Sequence, residues 1–271
     1  MPYAKNGDVN IYYEVEGEGP PLVLAHALSA SSDMWKRLGY VKALKNDYKL
    51  VLIDFRGHGK SDKPLESSAY APDIYEKNAN DVIAVLDTLN ISKTHYYGLS
   101  VGARTGYQLA VYYPDRFISF ILGCFPAIEI PEQVIAGYGR MGEIIKLALT
   151  DVNAAVAKRE EQLGRVLLDK EKQNIIAMGE QLDKSGLMAM LAMSEVNFAK
   201  SLRADDVAAI SQPCLIYCGD SDGFYDSTKK TAETVPNSTW VSLPGYNHDA
   251  AFINIDTILP HVKEFLTRVT K

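Results

Sequence analysis

Ser100 stands in Gly98-Leu99-Ser100-Val101-Gly102, with a glycine two positions away on either side. A serine hydroxyl is a weak nucleophile unless a base takes its proton, so a chain that uses one must also supply a histidine. Five are present: His26, His58, His95, His248 and His261. His248 lies among turn formers in LPGYNHDAAF, a loop position from which a base can reach Ser100. His261 falls in the final helical pattern and reads as a surface or packing residue. His95 begins the run that leads to Ser100, at the end remote from it. The base needs an acceptor that fixes its tautomer and stabilises the imidazolium. Two carboxylates compete for that place in YCGDSDGF: Asp222, two residues further into the loop with Gly223 behind it, is the first choice, and Asp220 is the alternative. Asp249, adjacent to His248, is badly placed to hold that ring's far nitrogen. The chain order Ser100, Asp222, His248 is that of one particular enzyme class.

The elements around Ser100 give the serine its purpose. A run leading into it, KTHYYGLS (93–100), reads as a strand, and VGARTGYQLAVYYP (101–114) reads as a helix that begins immediately afterwards and stops before a proline. Crossing from strand to helix in one or two residues requires strained, left-handed-like dihedrals at the central residue. Gly98 and Gly102, lacking Cβ, let the two arms of that turn approach. The side chain then points out of the carboxyl end of the sheet, where ligands of open α/β sheets bind.

The rest of the chain supports such a sheet. PLVLAHA (21–27), KLVLIDF (49–55), FISFILGCF (117–125) and PCLIYCGD (213–220) are continuous apolar runs, as expected for parallel strands covered on both faces. STWVSLPG (238–245) follows as the last, and VNIYYEVEG (9–17) alternates like an early antiparallel edge strand. Helical patterns lie between, with Val82, Val85, Leu86 and Leu89 forming one apolar face over 78–90, and a last helix near 256–269. The fold class is therefore α/β, with a mostly parallel central sheet flanked by helices. From Pro126 to Gln212 the alternation stops, and three helical stretches stand out: 132–150, 151–168 and 170–182. Five of the seven methionines lie in this block, where helix-core packing is the first reading and flexible pocket lining the second.

Composition sets the limits. A net charge of −6 without clustered Lys or Arg disfavours a nucleic-acid surface; Lys229-Lys230 reads as a solvated helix face. No stretch of about 18 apolar residues appears, so no membrane partner is expected, and MPYAKNGDVN lacks the features of a signal peptide. The three cysteines, an odd number, imply reduced thiols and a cytoplasmic location. Cys214 and Cys218, four apart on a strand, are separated by about 13 Å, too far for a disulfide, and they read as buried apolar fillers rather than metal ligands. No cofactor or metal is expected.

Five segments together, AHALSASSDMW (25–35), DFRGHGKSD (54–62), GLSVGA (98–103), GDSDG (219–223) and GYNHDAAF (245–252), stand in the order and at the spacing of a known superfamily. On them the chain resembles the α/β-hydrolases, over nearly all its length except the helical block. The resemblance implies a core of residues 1–126 and 206–271, with 127–205 as a helical cap over the pocket. It implies oxyanion-hole amides at Leu28 and Val101, with His26 as a structural member of the first loop. Ala27 stands where the superfamily usually has glycine, so a Cβ enters the loop beside Leu28. The segment from Asp54 to Gly59 shapes a turn beside the site, with Arg56 expected to pair with Asp54 or Asp62. Related haloalkane dehalogenases and most epoxide hydrolases carry aspartate at the nucleophile position, and dienelactone hydrolases cysteine. A serine there points to acyl chemistry on a small-molecule ester or lactone. Serine C–C hydrolases, perhydrolases and hydrolase-like ligand sensors with slow turnover share the same triad and remain alternatives.

Overall fold

The computed structural model describes residues 2–28, 30–70, 73–181 and 201–270. Among the described residues, eight strands form one sheet: β1 (Tyr3–Asn6), β2 (Val9–Glu16), β3 (Pro21–Ala25), β4 (Lys49–Ile53), β5 (Thr94–Leu99), β6 (Phe117–Gly123), β7 (Cys214–Gly219) and β8 (Ser238–Leu243). Their order across the sheet is β1-β2-β4-β3-β5-β6-β7-β8. The pairings from β4 through β8 are parallel, and only those made by β2 are antiparallel.

The alternating 9–17 segment does form an antiparallel strand, but it is not the edge. β1 pairs outside it in register from Asn6↔Val9 to Tyr3↔Tyr12. Only Gly7 and Asp8 separate the two, and Gly7 takes φ +62°, as a two-residue hairpin requires. The parallel strands are buried on both faces. Val23, Val51 and Ile53 belong to one apolar core and Leu22, Leu24, Leu50 and Leu52 to another. This double burial explains the continuous apolar runs.

The helices are α1 (Asp33–Arg37), α2 (Tyr40–Leu44), α3 (Ile74–Thr88), α4 (Val101–Tyr112), α5 (Glu132–Ala148), α6 (Val152–Leu163), α7 (Asp169–Gln181), α8 (Ala204–Ala208), α9 (Tyr225–Thr234), α10 (Ala250–Ile253) and α11 (Ile255–Thr270). Helix α3 starts earlier than its apolar periodicity suggests because Asp73 caps it, accepting from the amides of Tyr75 and Glu76. In α6, Asp151 caps the start and Gly164 closes the end at φ +63°. Helices α5 to α7 share a small core of Ile144, Ala148, Ala155, Leu167 and Ile175. Met141 faces a cavity between these helices. Met188, Met190 and Met193 lie outside the described residues. No helix among the described residues is long and apolar enough to cross a membrane.

Candidate active site

The junction at Ser100 is as tight as its glycines require. Ser100 has φ +52° and ψ −114°. The φ is positive as expected, but ψ lies outside the left-handed helical well, in territory that non-glycine residues occupy only under constraint. The constraint is visible: the Ser100 amide donates to Gly123 O at 2.8 Å, and Ser100 O accepts from Arg104 N at 3.0 Å. A Cβ on Gly98 would stand 2.7 Å from the Ala103 nitrogen, and one on Gly102 would stand 2.9 Å from the His26 carbonyl oxygen. Strand β5, helix α4 and the loop after β3 therefore meet backbone to backbone.

Three of the residues singled out in the sequence converge at this junction. His248 Nε2 lies 3.0 Å from Ser100 Oγ, and its Nδ1 lies 2.8 Å from Asp222 Oδ2. An ionised carboxylate can only accept, so Nδ1 carries the ring proton and Nε2 is free to accept from the serine hydroxyl. Asp222 is almost wholly enclosed, its side chain 2% exposed, whereas His248 is 31% exposed. Its second oxygen, Oδ1, accepts from Phe224 N at 3.0 Å. Asp220, the alternative, faces elsewhere and accepts from Gly245 N at 2.8 Å. The imidazole packs between Phe224 and Phe252, at centroid distances of 5.6 and 5.7 Å. Phe252 is held in turn by the Tyr40 hydroxyl, which donates to its carbonyl at 3.0 Å.

Leu28 and Val101 flank the serine, and among the described residues neither amide has a protein acceptor. Val101 is the first residue of α4, where amides have no partner within the helix. A cavity of about 440 Å³ opens here, with Ser100 and His248 in its wall beside Ala27, Leu28, Met34 and Phe252. Arg37 and Asp249 also line it. Ala27 is buried, and its carbonyl is turned away from the amide that follows. It accepts from His26 Nδ1 at 2.7 Å and from Ala30 N at 3.2 Å. Phe55 N donates to His26 Nε2 at 3.1 Å, so the His26 proton sits on Nδ1. Burial lowers the His26 pKa to about 4, so the ring is a neutral strut beneath the loop.

The turn after β4 corrects one expectation. Arg56 pairs with neither Asp54 nor Asp62. Its Nε and Nη2 reach both oxygens of Asp81 on α3, at 2.7 and 2.6 Å. Asp54 instead accepts from Ser32 N and Lys60 N, tying the turn to the loop after β3. Asp62 accepts from the backbone and side chain of Asn10. His58 is buried near His26 with its pKa lowered to about 3, chiefly by burial. His95 is buried in β5 against Ser119, away from the junction, and His261 is exposed on α11. All three cysteines are free and buried. Cys214 behaves as a filler, but Cys218 does more: its Sγ donates to Asp222 Oδ2 at 3.3 Å. Only its position on a strand end four residues before Asp222 could have hinted at that contact.

A family model described as alpha/beta hydrolase fold matches residues 20–254. A fluoroacetate dehalogenase from Burkholderia sp is 34% identical over 129 residues, covering 47% of this chain and 42% of that protein. The match thus spans less than half the length of that curated relative. The 3-oxoadipate enol-lactonase 1 of Acinetobacter baylyi is 30% identical over 208 residues, covering 75% of this chain and 71% of that one. Among solved structures, the enol-lactonase from Burkholderia xenovorans LB400 superposes with a TM-score of 0.70, covering 98% of this chain and all of that one. At 24% identity, the likeness to it is one of fold.

Proposed function

The chain belongs to the α/β-hydrolase fold family, and from that premise we propose that it is a serine hydrolase cleaving carboxylic esters or lactones through an acyl-enzyme. The observation that carries the reading is the chain of contacts from Ser100 Oγ through His248 to Asp222, at 3.0 and 2.8 Å. His248 Nε2 takes the Ser100 proton as Oγ attacks the carbonyl carbon. The carbonyl oxygen becomes negative and is met by the unpartnered amides of Leu28 and Val101, each such donor being worth about 10²–10³ in rate. The imidazolium, held by Asp222, returns its proton to the departing alkoxide. In a lactone that alkoxide stays tethered to the acyl group. Water then attacks the acyl-serine with His248 again as base, releasing the carboxylic acid and restoring the hydroxyl.

The serine separates this reading from the dehalogenase relative. Displacement at an alkyl carbon calls on a carboxylate nucleophile, whereas an alkoxide made by a neighbouring imidazole suits acyl transfer. The enol-lactonase relative fits that chemistry, and a cavity of about 440 Å³ with largely apolar walls suits a small acyl or ring substrate. Residues 127–205 serve as the cap in this reading, which is supported by α5 bringing Val134 beside Gly223, next to Asp222.

Fluorophosphonate labelling combined with turnover of p-nitrophenyl esters of rising chain length and of several lactones tests the proposal. Label at Ser100 and repeated turnover that vanish together in Ser100→Ala are expected. Full activity in Ser100→Ala refutes the mechanism, and labelling with no more than a single turnover refutes the enzyme reading.

A further inference from the structure

Asp222 is approached by three donors from three places in the chain. Phe224 N reaches Oδ1 at 3.0 Å, while His248 Nδ1 and Cys218 Sγ converge on Oδ2 at 2.8 and 3.3 Å. The third donor has no part in the chemistry described above. Cys218 is fully buried in β7, and Cys124, one residue beyond β6, lies beside it. The two sulfurs and an Asp222 oxygen all fall within 4.8 Å of one another.

Such a trio has the composition of a metal cradle, but its protonation argues for hydrogen bonding. Contact with Cys124, burial, and the nearby Asp222 charge all push the Cys218 thiol far up, so the sulfur keeps its proton. A thiol has a single proton to give, and an ionised carboxylate is a much better acceptor than a second sulfur. Asp222 therefore receives it.

We infer that Cys218 is a positioning residue of the triad, its S–H fixing the rotation of the Asp222 carboxylate and sharing the charge that Oδ2 presents to His248. The inference rests on the reading of Ser100, His248 and Asp222 as catalytic. Two donors on one oxygen divide its basicity. Without the thiol, Oδ2 holds the imidazolium more firmly, and the acidic limb of the kcat/KM profile moves to higher pH. The carboxylate also keeps one fewer restraint on its torsion, which lowers kcat. Cys218 does not line the cavity beside Ser100, so KM is untouched.

The other titratable groups around the pair do not change with this substitution. Cys124 stands at the end of β6. The phenols of Tyr40, Tyr97 and Tyr217 are pushed up by burial and stay neutral. On α9, the Tyr225 hydroxyl pairs with Ser242. Asp220 is occupied by Gly245 N, and Asp249, next to His248 in the chain, and Arg37 line the cavity. From α5 the neighbour is the apolar Val134.

The test is the pH profile of p-nitrophenyl acetate hydrolysis, from pH 5 to 9, for the native protein, Cys218→Ala, Cys218→Ser and Cys124→Ala. The acidic limbs should rank Ser below Cys below Ala, because a hydroxyl is the stronger donor and a methyl donates nothing. Cys218→Ala should shift the limb upward by about 0.3–1 unit, with kcat down 3- to 10-fold and KM within twofold. Cys124→Ala should leave the limb in place. Coincident limbs for the Cys218 variants overturn the inference, as does a Cys124→Ala profile that reproduces the Cys218→Ala shift. Where Cys218→Ala does not fold, Cys218→Ser decides: a limb within 0.1 unit of native overturns the inference. Ser100→Ala separates the two possible failures. Activity surviving there overturns the triad and this inference together, whereas its loss combined with coincident Cys218 limbs overturns this inference alone.

Discussion

Gly102→Ala measures how far the chemistry depends on the close meeting of backbones at the serine. Gly102 lies in the first turn of α4, and its Cβ would run first into the Ala25 carbonyl oxygen and stand 2.9 Å from the Ala25 carbonyl carbon and from the His26 carbonyl oxygen. Ordinary contact begins at 3.4 Å, and with the Ala25 oxygen as the closest obstacle relief requires a displacement of about 1 Å. Every atom in the way is backbone, so no rotamer can absorb it. Either α4 retreats, carrying Ser100 and the Val101 amide, or the loop after β3 retreats, carrying Leu28. A misplacement of about 1 Å costs about 10²-fold in rate, so kcat/KM should fall by about 10²-fold, with about 1–3 kcal/mol of overpacking in stability. Gly106→Ala is the control. It lies on the same helix, one turn further from the serine, and its Cβ would meet the side chains of Leu122 and Tyr96, 2.7 Å from Tyr96 Cε1. It should lose comparable stability while keeping kcat/KM within about threefold. The assay is p-nitrophenyl acetate kinetics beside thermal melting. Native kcat/KM in folded Gly102→Ala, or an equal loss in Gly106→Ala, refutes the reasoning.

Two further outcomes follow from the described contacts. Asp222→Asn should lower kcat by as much as about 10⁴, since an amide on Nδ1 favours the wrong tautomer, while Asp220→Asn should disturb only the turn at Gly245; steady-state kinetics of the two variants decides, and the reverse ranking reassigns the acid. Burial lowers the His95 pKa from 6.5 to about 4, so the unfolded chain binds the extra proton between those values. Its contribution to stability is complete above about pH 6.5 and is lost as pH falls toward 4. In urea titrations across that window, His95→Gln should flatten the pH slope by about one proton, or about 1.4 kcal/mol per pH unit; an unchanged slope shows that His95 is protonated in the folded state.

The positions of the three central residues were legible because each announces itself locally. Ser100 sits between two runs of opposite periodicity, and His248 and Asp222 sit in loops just past strands. The choice between Asp222 and Asp220 was narrowed by loop position alone, and the structure places Asp222 on the imidazole. Contacts made through tertiary convergence left no such trace. Arg56 reaches Asp81 across 25 residues because α3 lies against that turn, and nearer carboxylates are already occupied by backbone amides. The edge strand β1 was illegible for another reason: at four residues it is too short to show a period, and only pairing with β2 defines it. Cys218 looked like a filler because burial and strand propensity say nothing about where a thiol points.

The strain at the site has a structural logic of its own. Ser100 and Cys124, at the carboxyl ends of neighbouring strands, both take positive φ, +52° and +59°. Each such residue costs on the order of 1–3 kcal/mol. Both are fastened by the same device, a ladder hydrogen bond that continues one residue past the strand. Ser100 N donates to Gly123 O, and Cys124 N donates to Tyr217 O, at 2.8 and 2.9 Å. The chain can leave the sheet abruptly at these points because its last amides remain paired to it. Ser100 and Cys124 are thereby anchored to the buried strands β6 and β7. His248 is held differently, in a loop, by one carboxylate and two phenylalanine rings. His248 is thus the most exposed of the three side chains, and Ser100 and Asp222, which it bridges, are both buried.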